Sequence, residues 1–272
     1  MECVASDPLA PPERKRAAVI GAMTCRRVLG QRVDATSYAG AAEAILAMAE
    51  ARTGGMTCVS TVHMVMEGHD DADFRRIVNS ADLITSDGMP LVWMLRVLGV
   101  TDASRVYGPD LTPYVCRAAA ERGLSVGFYG STPDVLDDLA RELLAAIPQL
   151  SIGFRWSPPF GRVSSQEDEE VVEAIRESGI GVLFVGLGCP KQERWMAAHR
   201  DRLDCVLVGV GAAFDFVAGR KPKAPGWLQR MGLEWLFRLA CEPRRLWRRY
   251  ARHNPRFAVL ALGQLWRARR TT

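Results

Sequence analysis

The 272-residue sequence contains no long hydrophobic run, although 48% of its residues are hydrophobic. Its longest apolar stretches, 182–188 and 257–262, are much shorter than the roughly 20 residues that a membrane-spanning helix needs. The seven cysteines include no C-x-x-C pair, which disfavours a disulfide framework and a structural zinc site. Acidic residues and prolines precede the first apolar stretch, so the N-terminus is a poor secretory signal. We expect a globular protein located in the cytoplasm.

Two ligand motifs are missing as well. The G-x-G-x-x-G fingerprint of dinucleotide-binding folds follows none of the predicted strands, which disfavours an NAD(P)-dependent oxidoreductase. Asp71-x-Asp73 imitates the metal clamp of many sugar-nucleotide enzymes, but it lies between two predicted helices, where aspartate is typical of an N-cap. His63 and His69 are six residues apart and His253 is isolated, so the histidines lack the spacing of metal ligands. The sequence predicts neither a metal site nor a cofactor.

Charge is distributed unevenly along the chain. Of the 35 lysines and arginines, 14 lie in residues 220–272, together with only two of the 31 acidic residues. Four of the seven tryptophans lie there too. The net charge of +4 therefore combines an acidic body with a basic, tryptophan-rich C-terminal segment, the name used below for residues 220–272.

Before residue 220, apolar runs typical of strands alternate with stretches of helical periodicity. This alternation predicts an α/β fold, a Rossmann-like doubly wound domain with a mostly parallel sheet. The C-terminal segment has helical patterns only. We therefore predict a flexible N-terminal leader over 1–24, a Rossmann-like core over 25–219 and a helical, membrane-associating appendage over 220–272.

Some local expectations depend on single turns or breaks in the pattern. A first strand is predicted over 28–33. Pro190 suits the first position of a helix. In the C-terminal segment, Pro255 separates two predicted helices, 244–253 and 255–267.

Three glycine turns follow predicted strands. Because parallel strands end at the same edge of a sheet, these turns are expected to lie together, where α/β proteins bind ligands. Free backbone N–H groups and helix N-termini at such turns bind phosphate, so the sequence predicts a phosphate or nucleotide site. The third turn is Gly209-x-Gly211, and the candidate residues of the other two and of the following helix are Gly130, Ser131, Gly186, Gly188, Lys191, Gln192 and Glu193.

Asp87, in the sequence Ser-Asp-Gly, ends a short predicted strand. A carboxylate at the end of a buried strand is partly desolvated, and such a group can act as a general base near neutral pH. Aspartate before glycine is also typical of a tight turn, where its role is structural. The residue alone leaves both interpretations open.

Arginines dominate the middle of the C-terminal segment. Arg238, Arg245 and Arg248 share one helix face if the helical phase continues through Pro243. Three guanidinium groups together can clamp a diphosphate. The neighbouring tryptophans and leucines also suit a helix in an anionic membrane interface. A solvated basic face and a nucleic-acid patch are the alternatives.

Five segments between residues 86 and 239 form a specific combination. They are SDGMPLVW (86–93), RVYGPDL (105–111), VGLGCPKQERW (185–195), GVGAAFD (209–215) and GLEWLFRL (232–239). This combination, spread over about 28–257, resembles the TagA/WecG/CpsF glycosyltransferases. The resemblance implies an inverting, metal-independent transferase of cell-surface polysaccharide synthesis. It would move a sugar, typically N-acetylmannosamine, from UDP to a polyprenyl-diphosphate-linked saccharide at the cytoplasmic face of the membrane.

The resemblance also implies roles for individual residues. By position, Asp87 matches the family's proposed base and Arg105 and Gln192 match pocket residues. Further candidate binding residues are Ser60 and Thr61, which stand near the family's usual Thr-x-Asn, Asp215 in the fourth segment, and the diphosphate-binding arginines Arg238, Arg245 and Arg248. Tyr107 and Cys189 replace the family's usual residues, so a glucosyl or other hexosyl donor stays open.

The expected partners follow from these roles. They are a UDP-sugar donor, a polyprenyl-diphosphate-linked saccharide acceptor and an anionic membrane surface. No nucleic acid is expected, and a homo-oligomer is left open. The expected location is the cytoplasm, peripheral on the inner face of the cell membrane.

Overall fold

The computed structural model describes residues 23–159, 161 and 164–270. The leader predicted over 1–24 lies outside these residues except for its last two. The described strands are β1 (Cys25–Val28), β2 (Gln31–Asp34), β3 (Gly55–Ser60), β4 (Leu83–Ser86), β5 (Val126–Gly130), β6 (Ile152–Trp156), β7 (Val182–Gly186) and β8 (Val206–Gly209). The described helices are α1 (Tyr38–Glu50), α2 (Val62–Asp70), α3 (Ala72–Asn79), α4 (Met89–Val97), α5 (Gly108–Glu121), α6 (Pro133–Ala146), α7 (Ser165–Glu177), α8 (Lys191–His199), α9 (Ala213–Val217), α10 (Gly226–Arg230), α11 (Glu234–Cys241) and α12 (Pro243–Arg270).

Six strands form one sheet in the order β4-β3-β8-β7-β5-β6, and all its neighbours pair in parallel. Strands β3, β5, β7 and β8 are buried along nearly their whole length. Such strands need cover on both faces, which the crossover helices provide. The predicted α/β, Rossmann-like doubly wound fold is confirmed.

Two hydrophobic cores lie on opposite faces of the sheet. Helices α1, α5, α6 and α9 contribute to one, and α3, α7 and α8 contribute to the other. In the first core, Phe128 of β5 stacks on Phe184 of β7 with ring centroids 5.5 Å apart. Phe214 of α9 meets Phe128 edge-on at 5.6 Å. This aromatic contact fixes the ends of β5 and β7 beside the turn that follows β8.

Strands β1 and β2 form a separate antiparallel hairpin. Leu29 and Gly30 make its turn with φ values of 50° and 89°, as the favoured two-residue hairpin turn requires. The single strand predicted over 28–33 is therefore wrong, because leucine in a turn gives no sequence signal. Gln264 of α12 accepts a hydrogen bond from the Leu29 amide at 2.9 Å and donates one to the Arg27 carbonyl at 2.7 Å.

Helix α12 is a single helix of 28 residues that contains Pro255. The two helices predicted on either side of this proline are thus one. The physical reason is that the buried stripe continues past it, with Leu246 and His253 before and Phe257 and Ala261 after. Phe257 and Ala261 belong to a third core, shared with the hairpin, α2 and α4. Within the described residues, no helix has the length and apolar character needed to cross a bilayer.

Candidate active site

A cavity of about 880 Å³ lies at the carboxyl edge of the sheet, between the strand ends and helices α4, α11 and α12. Its volume is in the range of small-molecule and cofactor sites. Most of the predicted binding residues contribute to its wall, as expected from strands that end at one edge. These are Thr61, Asp87, Arg105, Ser131, Gly186, Gly188, Gln192, Asp215, Arg238 and Arg245.

Asp87 follows β4 directly and precedes α4. Its backbone amide donates to the Ser60 carbonyl at 2.9 Å, which extends the β3–β4 pairing by one residue. Only 16% of its side chain is exposed. Burial raises the pKa of Asp87 to about 6, with the Arg105 charge lowering it and the Glu234 charge raising it. A carboxylate with such a pKa is ionised at neutral pH and is a stronger base than an exposed aspartate.

Arg105 connects Asp87 to the C-terminal segment. Its Nη2 lies 3.3 Å from Asp87 Oδ1 and 2.5 Å from Glu234 Oε2. Its Nε donates to the Asp87 carbonyl, and its Nη1 donates to Gln229 Oε1 at 3.1 Å. The guanidinium carbon lies 4.1 Å from the centre of the Tyr107 ring. Gln229 and Glu234 therefore complete the site from a part of the chain that is more than 120 residues away from Arg105 in sequence.

Three arginines of the C-terminal segment also line the cavity. Arg238 and Arg249 line the cavity, and the Nε atoms of both are buried without a hydrogen-bond partner among the described residues. Arg245 also lines the cavity and pairs with Glu242 at 2.5 Å. Buried donors that lack a partner cost free energy, so they point to an anionic ligand in the cavity.

Arg248 lies elsewhere, contrary to the prediction. Its guanidinium faces the Trp247 ring at 5.5 Å, outside the cavity. Glu242, with φ −132° and ψ 57°, interrupts the helical phase between α11 and α12. Since one residue turns a helix by about 100°, Arg249 replaces Arg248 on the cavity side of α12.

A family model described as "Glycosyl transferase WecG/TagA/CpsF family" matches residues 26–271. The chain belongs to this family. It is therefore a glycosyltransferase of cell-surface polysaccharide synthesis, with a sugar donor and an acceptor as its substrates. The match confirms the resemblance carried by the five segments, and it includes the C-terminal segment that supplies Gln229 and Glu234.

The glycine turns of this WecG/TagA/CpsF glycosyltransferase serve different purposes. A Cβ on Gly130 would lie 2.6 Å from the Gly186 backbone, and one on Gly186 would lie 2.6 Å from the Phe214 ring. These two glycines therefore allow close packing of β5, β7 and α9. Gly188 has φ 80° and open space around it, so it is needed for the turn itself. Gly130 is outside the cavity wall, whereas the next residue, Ser131, belongs to it.

The first three side chains of α8, the helix after β7, lie in different environments. Gln192 lines the cavity, and its Oε1 accepts a hydrogen bond from the Gly188 amide at 3.2 Å. Glu193 is fully buried outside the cavity wall, accepts from Gln192 Nε2 at 2.6 Å, and has its pKa raised by burial. Lys191 is exposed to solvent. Pro190 is the N-cap rather than the first helical residue.

Two hydroxyl groups and one thiol near the cavity have local partners. Ser60 is buried outside the wall, where its Oγ accepts from Gln31 Nε2 at 2.6 Å. Thr61 lines the cavity and caps α2 by accepting from the Met64 amide at 3.3 Å. Cys189 lines the cavity, and burial raises the pKa of its thiol. A neutral Cys189 thiol is consistent with packing in the cavity wall rather than with nucleophilic chemistry.

The structure brings together two histidines that the sequence left isolated. The rings of His63 on α2 and His253 on α12 have centroids 5.1 Å apart, and both line the cavity. Burial and the nearby Arg249 charge lower the pKa of His63 to about 3, and burial also lowers the pKa of His253. With Glu67, these residues form a group whose ligand atoms lie within 4.8 Å of one another. Sequence spacing missed this group because its members come from two distant helices.

Asp71 is confirmed as the N-cap of α3. Its Oδ1 accepts hydrogen bonds from the amides of Asp73 and Phe74 at 2.9 and 3.0 Å. Its other oxygen lies 2.7 Å from Arg194 Nη2, and Asp73 pairs with Arg76. Neither carboxylate belongs to the cavity wall.

Proposed function

We propose that the protein is an inverting glycosyltransferase that uses a UDP-sugar, UDP-N-acetylmannosamine or a related hexose, as donor. The proposed acceptor is a polyprenyl-diphosphate-linked saccharide. The observation that carries this proposal is that a buried carboxylate, Asp87, and the arginines Arg238, Arg245 and Arg249 line one cavity. Such a cavity offers a base for a substrate hydroxyl and cations for diphosphate groups.

The proposed reaction is a single displacement. Asp87 takes the proton from an acceptor hydroxyl, and the oxygen forms a bond to the anomeric carbon of the donor. The bond from that carbon to the UDP oxygen breaks, its electron pair leaves with UDP, and the configuration inverts. Arginines and the backbone amides of the glycine turns stabilise the charge that develops on the leaving diphosphate. Arg105 holds Asp87 in place through its side-chain and backbone oxygens.

The shape of the cavity supports a lipid-linked acceptor. Beyond the arginines it continues between α4 and α12, where its wall is apolar. This part is lined by Trp93, Met94, Val97, Phe257, Ala261 and Leu265. Apolar side chains directly beside a cationic group match the chemistry of a polyprenyl diphosphate, whose first isoprene units follow the diphosphate.

The outer face of α12, defined as Arg248, Val259 and Trp266, supports membrane association. These residues lie opposite the buried stripe of the helix, and Val259 and Trp266 are 70% and 55% exposed. A helix that exposes apolar side chains among arginines suits the interface of an anionic membrane. We propose that this face docks on the membrane that holds the acceptor, at its cytoplasmic side.

We expect the double variant Val259→Ser and Trp266→Ser to bind phosphatidylglycerol vesicles at least about tenfold more weakly than the wild type, because burial of such side chains contributes about 1.5–3 kcal/mol each. Vesicle co-sedimentation measures this. The matched control is Trp156→Ser, at the edge strand β6, where the tryptophan is 36% exposed. Equal binding of the double variant and the wild type would contradict the docking face.

Transfer is expected to proceed at the same rate whether Mg²⁺ or Mn²⁺ is added or omitted. Asp71 and Asp73, the pair that imitates a metal clamp, are engaged in capping and ion pairs outside the cavity, so arginines are left to stabilise the leaving diphosphate. The assay is sugar transfer from a UDP-sugar to a prenyl-diphosphate-linked saccharide, with the protein as purified. A rate that rises with the concentration of either cation would show that this part of the proposal is wrong.

A further inference from the structure

The group His63, Glu67 and His253 joins the C-terminal helix to the core. His63 and Glu67 are four residues apart on α2, so both project from one face of that helix. His253 reaches them from α12, and 5% of its side chain is exposed. The His63 ring hydrogen-bonds the Cys189 backbone, while its Nδ1 is buried without a hydrogen-bond partner among the described residues.

The distances within the group do not fit hydrogen bonds. His63 Nδ1 lies 3.6 Å from Glu67 Oε1, and His253 Nε2 lies 3.4 Å from the same oxygen. Direct N–H···O hydrogen bonds span about 2.7–3.2 Å. A tetrahedral zinc ion with ligand bonds of about 2.0–2.1 Å separates its ligand atoms by about 3.4 Å. Both distances to Glu67 Oε1 are close to this separation, and the ligand atoms of the three residues all lie within 4.8 Å of one another.

We propose that His63 Nδ1, Glu67 Oε1 and His253 Nε2 bind one zinc ion, or a similar divalent transition metal, that ties α12 to α2. Two imidazoles and one carboxylate are a common zinc ligand set, and three protein ligands leave a fourth position open. The two histidines line the cavity, so the open position faces it. The Cys189 backbone orients the His63 ring, as second-shell groups do at metal sites.

The charges around the proposed metal site make Glu67 the most important of the three ligands. Arg249 lies near His63 and opposes a cation there, so the Glu67 carboxylate has to supply the compensating charge. Asp70, the other acidic group at this end of α2, already pairs with Arg252 and Arg256 of α12. Metal binding at this site does not depend on the proposed sugar transfer. Mg²⁺ and Mn²⁺, which prefer oxygen ligands, are poor occupants.

The test uses the full chain, stripped of metal with a chelator and then titrated with Co²⁺ and Zn²⁺. We expect one Co²⁺ per chain with the visible absorption of a tetrahedral site, displaced by Zn²⁺. His253→Gln and Glu67→Gln are expected to weaken binding at least about tenfold, since loss of second-shell groups alone costs about 10–100-fold. His69→Asn, an exposed histidine on the same helix, is the control and should bind as the wild type does.

A second readout keeps the test independent of folding defects. Zn²⁺ should raise the melting temperature of the wild type and of His69→Asn but not of Glu67→Gln, whose side chain is 31% exposed in the wild type and whose replacement is nearly isosteric. Absence of saturable metal binding, or metal affinity in His253→Gln and Glu67→Gln equal to that of the wild type, would overturn the proposal. The proposal would also be overturned if zinc had no effect and inorganic diphosphate raised the melting temperature of the wild type but not of His253→Gln. His63 and His253 would then belong to an anion site.

Discussion

Replacing Asp87 by asparagine is expected to lower kcat by about 10²–10⁴-fold, the usual contribution of a general base. Asparagine keeps the shape of the side chain and can still accept the hydrogen bond from Arg105 Nη2. It cannot take a proton from the acceptor hydroxyl. The measurement is sugar transfer at saturating donor and acceptor. Asp137→Asn, an exposed carboxylate that pairs with Arg155 far from the cavity, is the matched control.

The same variant is not expected to lose thermal stability at neutral pH. The pKa of Asp87 is raised in the folded protein, from 3.8 to about 6, so the folded state holds this proton more tightly than the unfolded state. The contribution of Asp87 to the free energy of unfolding is therefore largest below pH 4. It decreases by up to about 3 kcal/mol as the pH rises towards 6. Asparagine carries no charge and avoids this loss.

Sugar transfer by Asp87→Asn at the wild-type rate would exclude Asp87 as the base.

Replacing Arg105 by glutamine is expected to move the acidic limb of the pH profile of kcat/KM upwards. In the wild type, activity should fall as pH drops through about 6, because Asp87 must be ionised to act as a base. Arg105 is the main cation that lowers this pKa, and Glu234 opposes it. Without the guanidinium, two carboxylates face each other and the limb should shift by about 1–3 pH units. At pH 7 this lowers the ionised fraction of Asp87, and with it kcat/KM, by about 2-fold for a shift of one unit and by about 90-fold for a shift of three.

The conservative variant Arg105→Lys separates charge from geometry. Lysine restores a cation but cannot reach Asp87, Gln229 and Glu234 at once, as the guanidinium does. We expect its acidic limb to lie near that of the wild type while kcat stays reduced. An acidic limb that is unchanged in Arg105→Gln would show that Arg105 does not set the protonation of the base.

Much of the core fold could be predicted because its signals are local. The strand that ends at Gly186 is apolar throughout and is followed at once by glycines and a helix, so its burial and direction follow from neighbouring residues. The order of strands in the sheet was not predicted, since it depends on which crossovers pack best. The Leu29-Gly30 turn was missed because leucine rarely has a positive φ.

The candidate site was predictable where it is built from strand ends. Asp87 and Gln192 lie in the cavity wall as expected. The sequence predicted no separate role for Glu234, because nothing in the neighbouring residues shows that it meets Arg105. Arg249 was missed because the helical phase was extended through Glu242, where the helix is broken. Contacts between the C-terminal segment and the core depend on tertiary packing, which spacing along the chain does not record.

The proposed function requires that this cavity bind a UDP-sugar beside a base, Asp87. The most direct measurement is calorimetric titration of a panel of UDP-sugars into the wild type and into Asp87→Asn, with turnover measured on the same samples. We expect at least one UDP-sugar to bind both proteins with similar affinity and UDP to compete with it, while only the wild type transfers the sugar. Binding of NAD(P) but of no UDP-sugar, or full transfer by Asp87→Asn, would contradict the proposed function.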